Sequence, residues 1–253
     1  MSTAAVSPVP FTRLTAVEWR KQLDTRAGRW LLIAIGIVTA GVLAIMANVD
    51  GGNHSFGGFL VGTSTPMLIL LPIVGVLAAT AEWSQRTALV TFTLEPRRTR
   101  VGVAKLLSAM GSGVAFFAVA VGLAALAHLA VVGFRDADAA WSLQGELVAG
   151  MLLLIVIGMA QGVGFGLLLL NTPAAIVTLL VLPTAFGVLG SLEPAMTDVL
   201  PWIDLGTAGE PVLLGEPMAG GDWARLATAT AIWAGVPLVL GMLRVSRSEV
   251  RSA

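Results

Sequence analysis

The sequence predicts an all-α polytopic membrane protein with six transmembrane helices, and three observations predict it. Charged residues are 12% of 253, about half the ~25% of an ordinary soluble domain, while hydrophobic residues are 56% and mean hydropathy is +0.87. Charge-free apolar runs of spanning length recur along the chain. The basic residues gather almost wholly on alternate connections. So few charges cannot cover a soluble surface of this size. This much apolar content without Cys or a Gly repeat also excludes disulfide-stapled, disordered and collagen-like chains. Six spans of ~20 residues use about half the chain and leave no room for a second large domain.

Residues 1–29 come first. They carry Arg13, Arg20, Lys21, Arg26 and Arg29 with no apolar run before Trp30, so they do not read as a signal peptide. Phe11, Thr15, Trp19 and Leu23 form one i,i+4 row, with Arg13, Arg20 and Asp24 opposite and Leu14 and Val17 breaking the pattern. That spacing predicts an interfacial helix on the inner leaflet. The transmembrane domain is 30–243, with spans at about 30–49, 62–81, 106–133, 147–170, 174–192 and 226–243, and 244–253 is a tail. Span two is placed after a Gly-, Asn-, His- and Ser-rich lead. The charge-free run 147–192 is too long for one crossing, and Asn171-Thr172-Pro173 is the turn that divides it. Pro72, Pro183 and Pro237 lie inside spans, where neighbouring helices tolerate them as kinks.

Six spans put both termini on one side. That side holds 13 of the 15 basic residues, in 1–29, in 82–105 and in the tail; only Arg135 and Arg225 lie opposite. The positive-inside rule makes the rich side cytoplasmic. Ten of the 15 acids fall outside, six of them in 193–222. With no tyrosine, tryptophan supplies the interfacial belt: Trp30 and Trp83 at the inner boundary, Trp141, Trp202 and Trp223 at the outer. Thirteen of the 15 basic residues are Arg in an Ala- and Gly-rich chain, which suggests a GC-rich bacterial genome and so a bacterial cytoplasmic membrane.

No Asp, Glu, Lys or Arg lies inside any of these spans, so an ion-coupled transport site is not expected. His128 reads as a packing residue. Gln161, near mid-depth in span four, is the candidate for a contact in a substrate pathway. Two histidines and no Cys make no metal site, and no catalytic constellation or phosphate-binding loop is present. The chain is therefore expected to be no enzyme, with no cofactor of its own and no nucleic-acid partner. Gly158, Gly162 and Gly166 form a Gly-x-x-x-Gly-x-x-x-Gly ridge for close helix packing.

The segment 82–100 is the most informative. Read as one helix, it lines up Trp83, Thr87, Val90 and Leu94 in an apolar stripe, with Glu82 and Arg86 at i,i+4, and Pro96 ends it. This order of elements resembles the membrane-spanning permease subunits of type-2 ABC transporters, the exporter branch. The resemblance rests on the interfacial helix, the six spans and a Glu-x-x-x-Arg-Thr … Leu-x-Pro-x-x-x-Arg … Lys segment, met here by Glu82, Arg86, Thr87, Leu94, Pro96, Arg100 and Lys105. Members often carry Gly before that Thr, where this chain has Arg86.

The resemblance implies that 82–95 is a cytoplasmic coupling helix, docking through Glu82, Trp83, Arg86, Thr87, Val90, Leu94, Pro96 and Arg100. Its partner would be a separate ATPase subunit, present in two copies, that holds ATP and Mg. It implies a second permease chain, identical or related, beside membrane lipid. It also implies short re-entrant or surface helices in the extracytoplasmic loop 193–223, which has four prolines and no basic residue. The expected function is the permease half of an ATP-driven exporter for an amphipathic or hydrophobic compound, such as a drug, antibiotic or lipid-like molecule. The alternatives are a polytopic membrane enzyme, or a non-transporting assembly or immunity protein on a similar fold.

Overall fold

The computed structural model describes residues 9–49, 54–135, 145–192, 196 and 198–248. About 90% of it is helical, with no strand among the described residues. The helices are α1 (Phe11–Asp24), α2 (Arg26–Asn48), α3 (Phe56–Ser84), α4 (Ala88–Leu94), α5 (Arg98–Arg135), α6 (Gly145–Leu169), α7 (Thr172–Leu192), α8 (Leu200–Ile203), α9 (Leu205–Leu214), α10 (Gly220–Thr230) and α11 (Val236–Arg247). A π-helical turn, Ala231–Gly235, joins the last two into one rod. Six helices are long and apolar enough to cross a membrane: α2, α3, α5, α6, α7 and the α10–α11 rod. The fold is that of an all-α multi-pass protein.

Charges delimit the apolar spans but not the helices. α3 starts at Phe56, not near 62, because Ser55 accepts the Gly58 N–H as N-cap and Phe56, Phe59 and Leu60 are buried at once. α5 starts at Arg98, not near 106, and runs 38 residues, ~57 Å at 1.5 Å per residue. The last rod starts at Gly220, not near 226. The turn at 171–173 is where it was expected. Leu170 adopts φ 51°, ending α6, and Asn171 Oδ1 accepts the Ala174 N–H at 3.0 Å, starting α7.

α6 is the central helix, because it can be approached closely from two sides. Gly158, Gly162 and Gly166 face α3 of the same chain. A Cβ on Gly162 would fall on the Pro72 carbonyl oxygen, and one on Gly166 would meet the Ala79 Cβ at 2.6 Å. Gly75 returns the contact: a Cβ there would lie 2.8 Å from the Met159 carbonyl oxygen. On another side, Gly164 lies against the Leu238 backbone and Gly241 against Leu167, so α11 seats equally close. Backbones at this distance gain dispersion and Cα–H contacts that larger side chains would forbid. Phe59, Leu71, Met151, Ile155 and Met159 fill the core between them. α2 and α7 are peripheral and mostly exposed.

At the end remote from α1, α8 and α9 fold back into the bundle. Gly209 meets Leu154, and Gly150 meets Val212, at the tenth and sixth residues of α6. Asp204 caps α9 by accepting the Thr207 N–H at 2.8 Å and the Thr207 hydroxyl at 2.7 Å, and Gly215 ends it at φ 71°. Trp233 in the π-turn packs on Phe165 and Phe186 and donates its indole N–H to the Ile203 carbonyl. His128 is buried, its Nδ1 2.9 Å from the His54 carbonyl oxygen, as a packing residue would be. Of the belt tryptophans, Trp30, Trp202 and Trp223 are exposed, whereas Trp83 is half-buried against Phe92. Trp141 lies outside the described residues, as do 50–53 and 249–253.

Candidate functional site

The basic end of the bundle gathers α1, α4, the start of α5 and the end of α11. α1 is attached there by an unexpected face. The row Trp19 and Leu23 stays exposed, and the buried residues are Leu14, Glu18 and Gln22 on a neighbouring stripe. Glu18, Lys21, Glu82 and Lys105 close a ring of charges. Lys105 Nζ lies 2.8 Å from Glu18 Oε2, 2.6 Å from Glu82 Oε2 and 2.9 Å from the Ala78 carbonyl oxygen, which uses all three ammonium hydrogens. Lys21 Nζ lies 2.6 Å from Glu18 Oε1 and 3.0 Å from Glu82 Oε1. Beside the ring, Gln22 donates to Ser108 Oγ at 2.8 Å and accepts from Ser112 Oγ at 2.8 Å. Two anions and two cations cancel, and every carboxylate oxygen has a donor, which is how the charges tolerate burial.

Lys21 keeps a solvent-facing edge. Burial by itself would lower its pKa, but the carboxylates of Glu82 and Glu18 outweigh that and hold it above the ordinary lysine value.

The segment after α3 is not one helix. α3 ends at Ser84 in a Schellman motif: the Thr87 N–H reaches the Glu82 carbonyl at 2.9 Å and the Arg86 N–H the Trp83 carbonyl at 3.4 Å. Arg86 takes the C′ place at φ 57°. This left-handed conformation suits Gly and costs other residues about 1–2 kcal/mol. The break separates the expected i,i+4 pair: Glu82 turns inward to the two lysines, while Arg86 is exposed. It also divides the expected stripe. Trp83 stays on α3 against Phe92, whereas Val90 and Leu94 stand together on α4, 60% and 75% exposed.

α4 is held at both ends. Buried Glu95 accepts from Arg100 at 2.7 Å and from the Arg97 N–H at 3.3 Å, and Arg100 also donates to the Val9 carbonyl at 3.0 Å. Pro96 follows at once and stays exposed. Arg98 lies over the Phe92 ring at 4.9 Å and caps the end of α11 through the carbonyls of Val245 and Ser248. Between α1 and α4 runs an open groove of about 450 Å³. Leu14, Val17, Thr87, Val90 and Leu94 line it together with Lys21 and Glu82.

The eight residues of the expected coupling site are thus divided. Thr87, Val90 and Leu94 share the groove; Glu82 and Arg100 are structural ties; Trp83 packs inward; Arg86 and Pro96 face outward. Gln161 lies far from this end, in a cleft between α3, α6, α7 and α9. Glu18, Lys21, Gln22, Glu95 and Lys105 escaped the sequence reading as one site. One signal was present: Lys21 and Lys105 are the only lysines among 15 basic residues, each where Arg is the habit of this chain. A lysine, compact and with three donors, fits a closed ring that a planar guanidinium does not.

Fold and site together define a class: an all-α multi-pass chain with a polar-anchored helix and a short, apolar, exposed helix sharing a groove at one end. Compared with known proteins, the chain matches no family model and no curated sequence.

Proposed function

We propose that this protein is the permease subunit of an ATP-driven type-2 ABC exporter in a bacterial cytoplasmic membrane, with both termini and α4 cytoplasmic. A separate ATPase, in two copies, hydrolyses ATP with Mg, and two permease chains form the pathway for an amphipathic or hydrophobic compound. The observation that carries this reading is α4. It presents Val90 and Leu94 to solvent on the rim of a groove, and it is tied into α3 and α5, so a push on it moves two spans. Arg86 in the left-handed place of the resembled family's Gly supports the same reading.

Val90→Asp tests it. Val90 is 60% exposed in the single chain, so the variant should insert and melt like wild type. Against a docked ATPase the same carboxylate is buried unpaired, at a cost of several kcal/mol. Co-purification of the ATPase and substrate efflux should both fall at least tenfold. Wild-type levels of both would remove the docking role of α4.

The orientation has its own test, made clean by the absence of native Cys. Ser84→Cys and Glu216→Cys are both at exposed positions. An impermeant thiol reagent added to intact cells should label the second and not the first. Labelling of both from outside would overturn the six-span arrangement.

A further inference from the structure

We infer that the cleft between α3, α6, α7 and α9 is a binding site for an uncharged amphiphile whose polar head carries an O–H or N–H donor. The cleft holds about 470 Å³, within the ~300–1,000 Å³ of small-molecule sites. Its walls are apolar, with Ile69, Leu154, Leu180 and Leu213 among them, and no charged side chain lines it. A charged ligand would find no counter-ion there and would be costly to desolvate.

The polar groups that remain include several acceptors, beside the first-turn N–H groups of Leu205 and Gly206 at the start of α9. Pro72 and Pro183 both line the cleft, and neither has an N–H for the carbonyl four residues earlier. Those carbonyls belong to Leu68 and Leu179, which line the same cleft. Thr184 donates its hydroxyl to the Leu180 carbonyl at 3.0 Å and so offers only oxygen lone pairs. The Gln161 amide both donates and accepts, and among the described residues no hydrogen bond engages it. An amide left unmet in apolar surroundings is unfavourable, and a ligand hydroxyl or amide relieves it while giving its proton to a freed carbonyl.

The same chemistry has two sources, a neutral glycerolipid of the membrane or a foreign apolar compound. Calling the occupant a transport substrate rests on the permease reading, whereas its binding does not. The experiment therefore uses the full chain alone in lipid nanodiscs, with neither ATPase nor nucleotide, so loss of the permease reading leaves its result intact. The probe is a monoacylglycerol with a diazirine in its acyl chain, mapped by mass spectrometry after photolysis. Saturable labelling should concentrate on the cleft-lining stretches of α3, α6 and α7. Gln161→Leu should reduce it roughly three- to tenfold, as loss of one hydrogen bond does. Ile69→Trp, at a half-exposed position, should fill the cleft and abolish it. The bis(methyl ether) of the probe, lacking both O–H groups, should label several-fold less.

Competition by monoolein alone assigns the site to lipid. Competition by N-phenyl-1-naphthylamine as well, an uncharged compound with one N–H, opens it to foreign molecules. Labelling spread over α2 and indifferent to Gln161 would overturn the proposal. So would a Gln161→Leu variant that labels normally but changes the mass of the assembly, since the amide would then serve a second copy of the chain.

Discussion

Lys105→Met is expected to destabilise the protein by about 3–5 kcal/mol, the cost of leaving buried charge uncompensated when one partner of a buried pair is removed. Lys105 is 4% exposed, and among the described residues it is the cation whose three donors all go to the ring and its rim. Its loss leaves Glu18 and Glu82, at 3% and 6% exposure, sharing Lys21 alone. In a chain of this size that corresponds to a fall in melting temperature of roughly 6–20 °C, read by tryptophan fluorescence in nanodiscs. α1 should become protease-sensitive first, because the polar seam, not apolar burial, holds it. Lys105→Met combined with Glu18→Gln should recover part of the loss, since it removes one uncompensated anion. A single variant that melts like wild type would show that the ring is not what anchors α1. Because the Lys21 pKa is raised, its contribution is full below the ordinary lysine value of ~10.4 and is lost only as pH rises through the higher folded value. The anchoring of α1 should therefore be flat across neutral pH.

Gly162→Leu is the second large effect, and it acts on the centre of the bundle. An added Cβ would coincide with the Pro72 carbonyl oxygen, and backbone cannot step aside as a side-chain tip can. Overpacking ordinarily costs about 1–3 kcal/mol, and contact with backbone on α3 puts this site at or above the top of that range. Folded yield and melting temperature should fall together, and even Gly162→Ala should be felt. Glycine is also simply common in this chain, with 29 copies, so controls matter. Gly36, Gly111 and Gly122 have nothing within 4 Å of the same added atom. Leu at any of these should leave folding near wild type. Equal losses at Gly122 and Gly162 would mean that helix flexibility, not close packing, is what glycine provides.

The six apolar helices and the turn at Asn171 could be read from sequence, because each is decided within ~20 neighbouring residues. Summed hydropathy selects a span, and Asn before Thr-Pro caps the next helix. The crowding of basic residues beside α1, α4 and the end of α11 was legible for the same reason. What lay beyond reach was the choice of face. On α1 the hydrophobic row pointed to Trp19 and Leu23, yet Leu14, Glu18 and Gln22 are buried. Glu18 and Gln22 find their distant partners 86 to 90 residues away, at Lys105, Ser108 and Ser112. No periodicity in α1 encodes them. Glu82 illustrates the same point: local spacing paired it with Arg86, and only the left-handed turn at Arg86 released it to Lys21 and Lys105. The glycine ridge on α6 was visible in sequence, but not that α3 of the same chain occupies it. Transfer from water into an apolar environment is a local, additive property of a segment, so the sequence by itself determined which stretches become helices of spanning length. Once every helix is apolar, hydrophobicity no longer tells one face from another, and the tertiary structure alone decided the packing, through close backbone approach and the need of each buried charge for a partner.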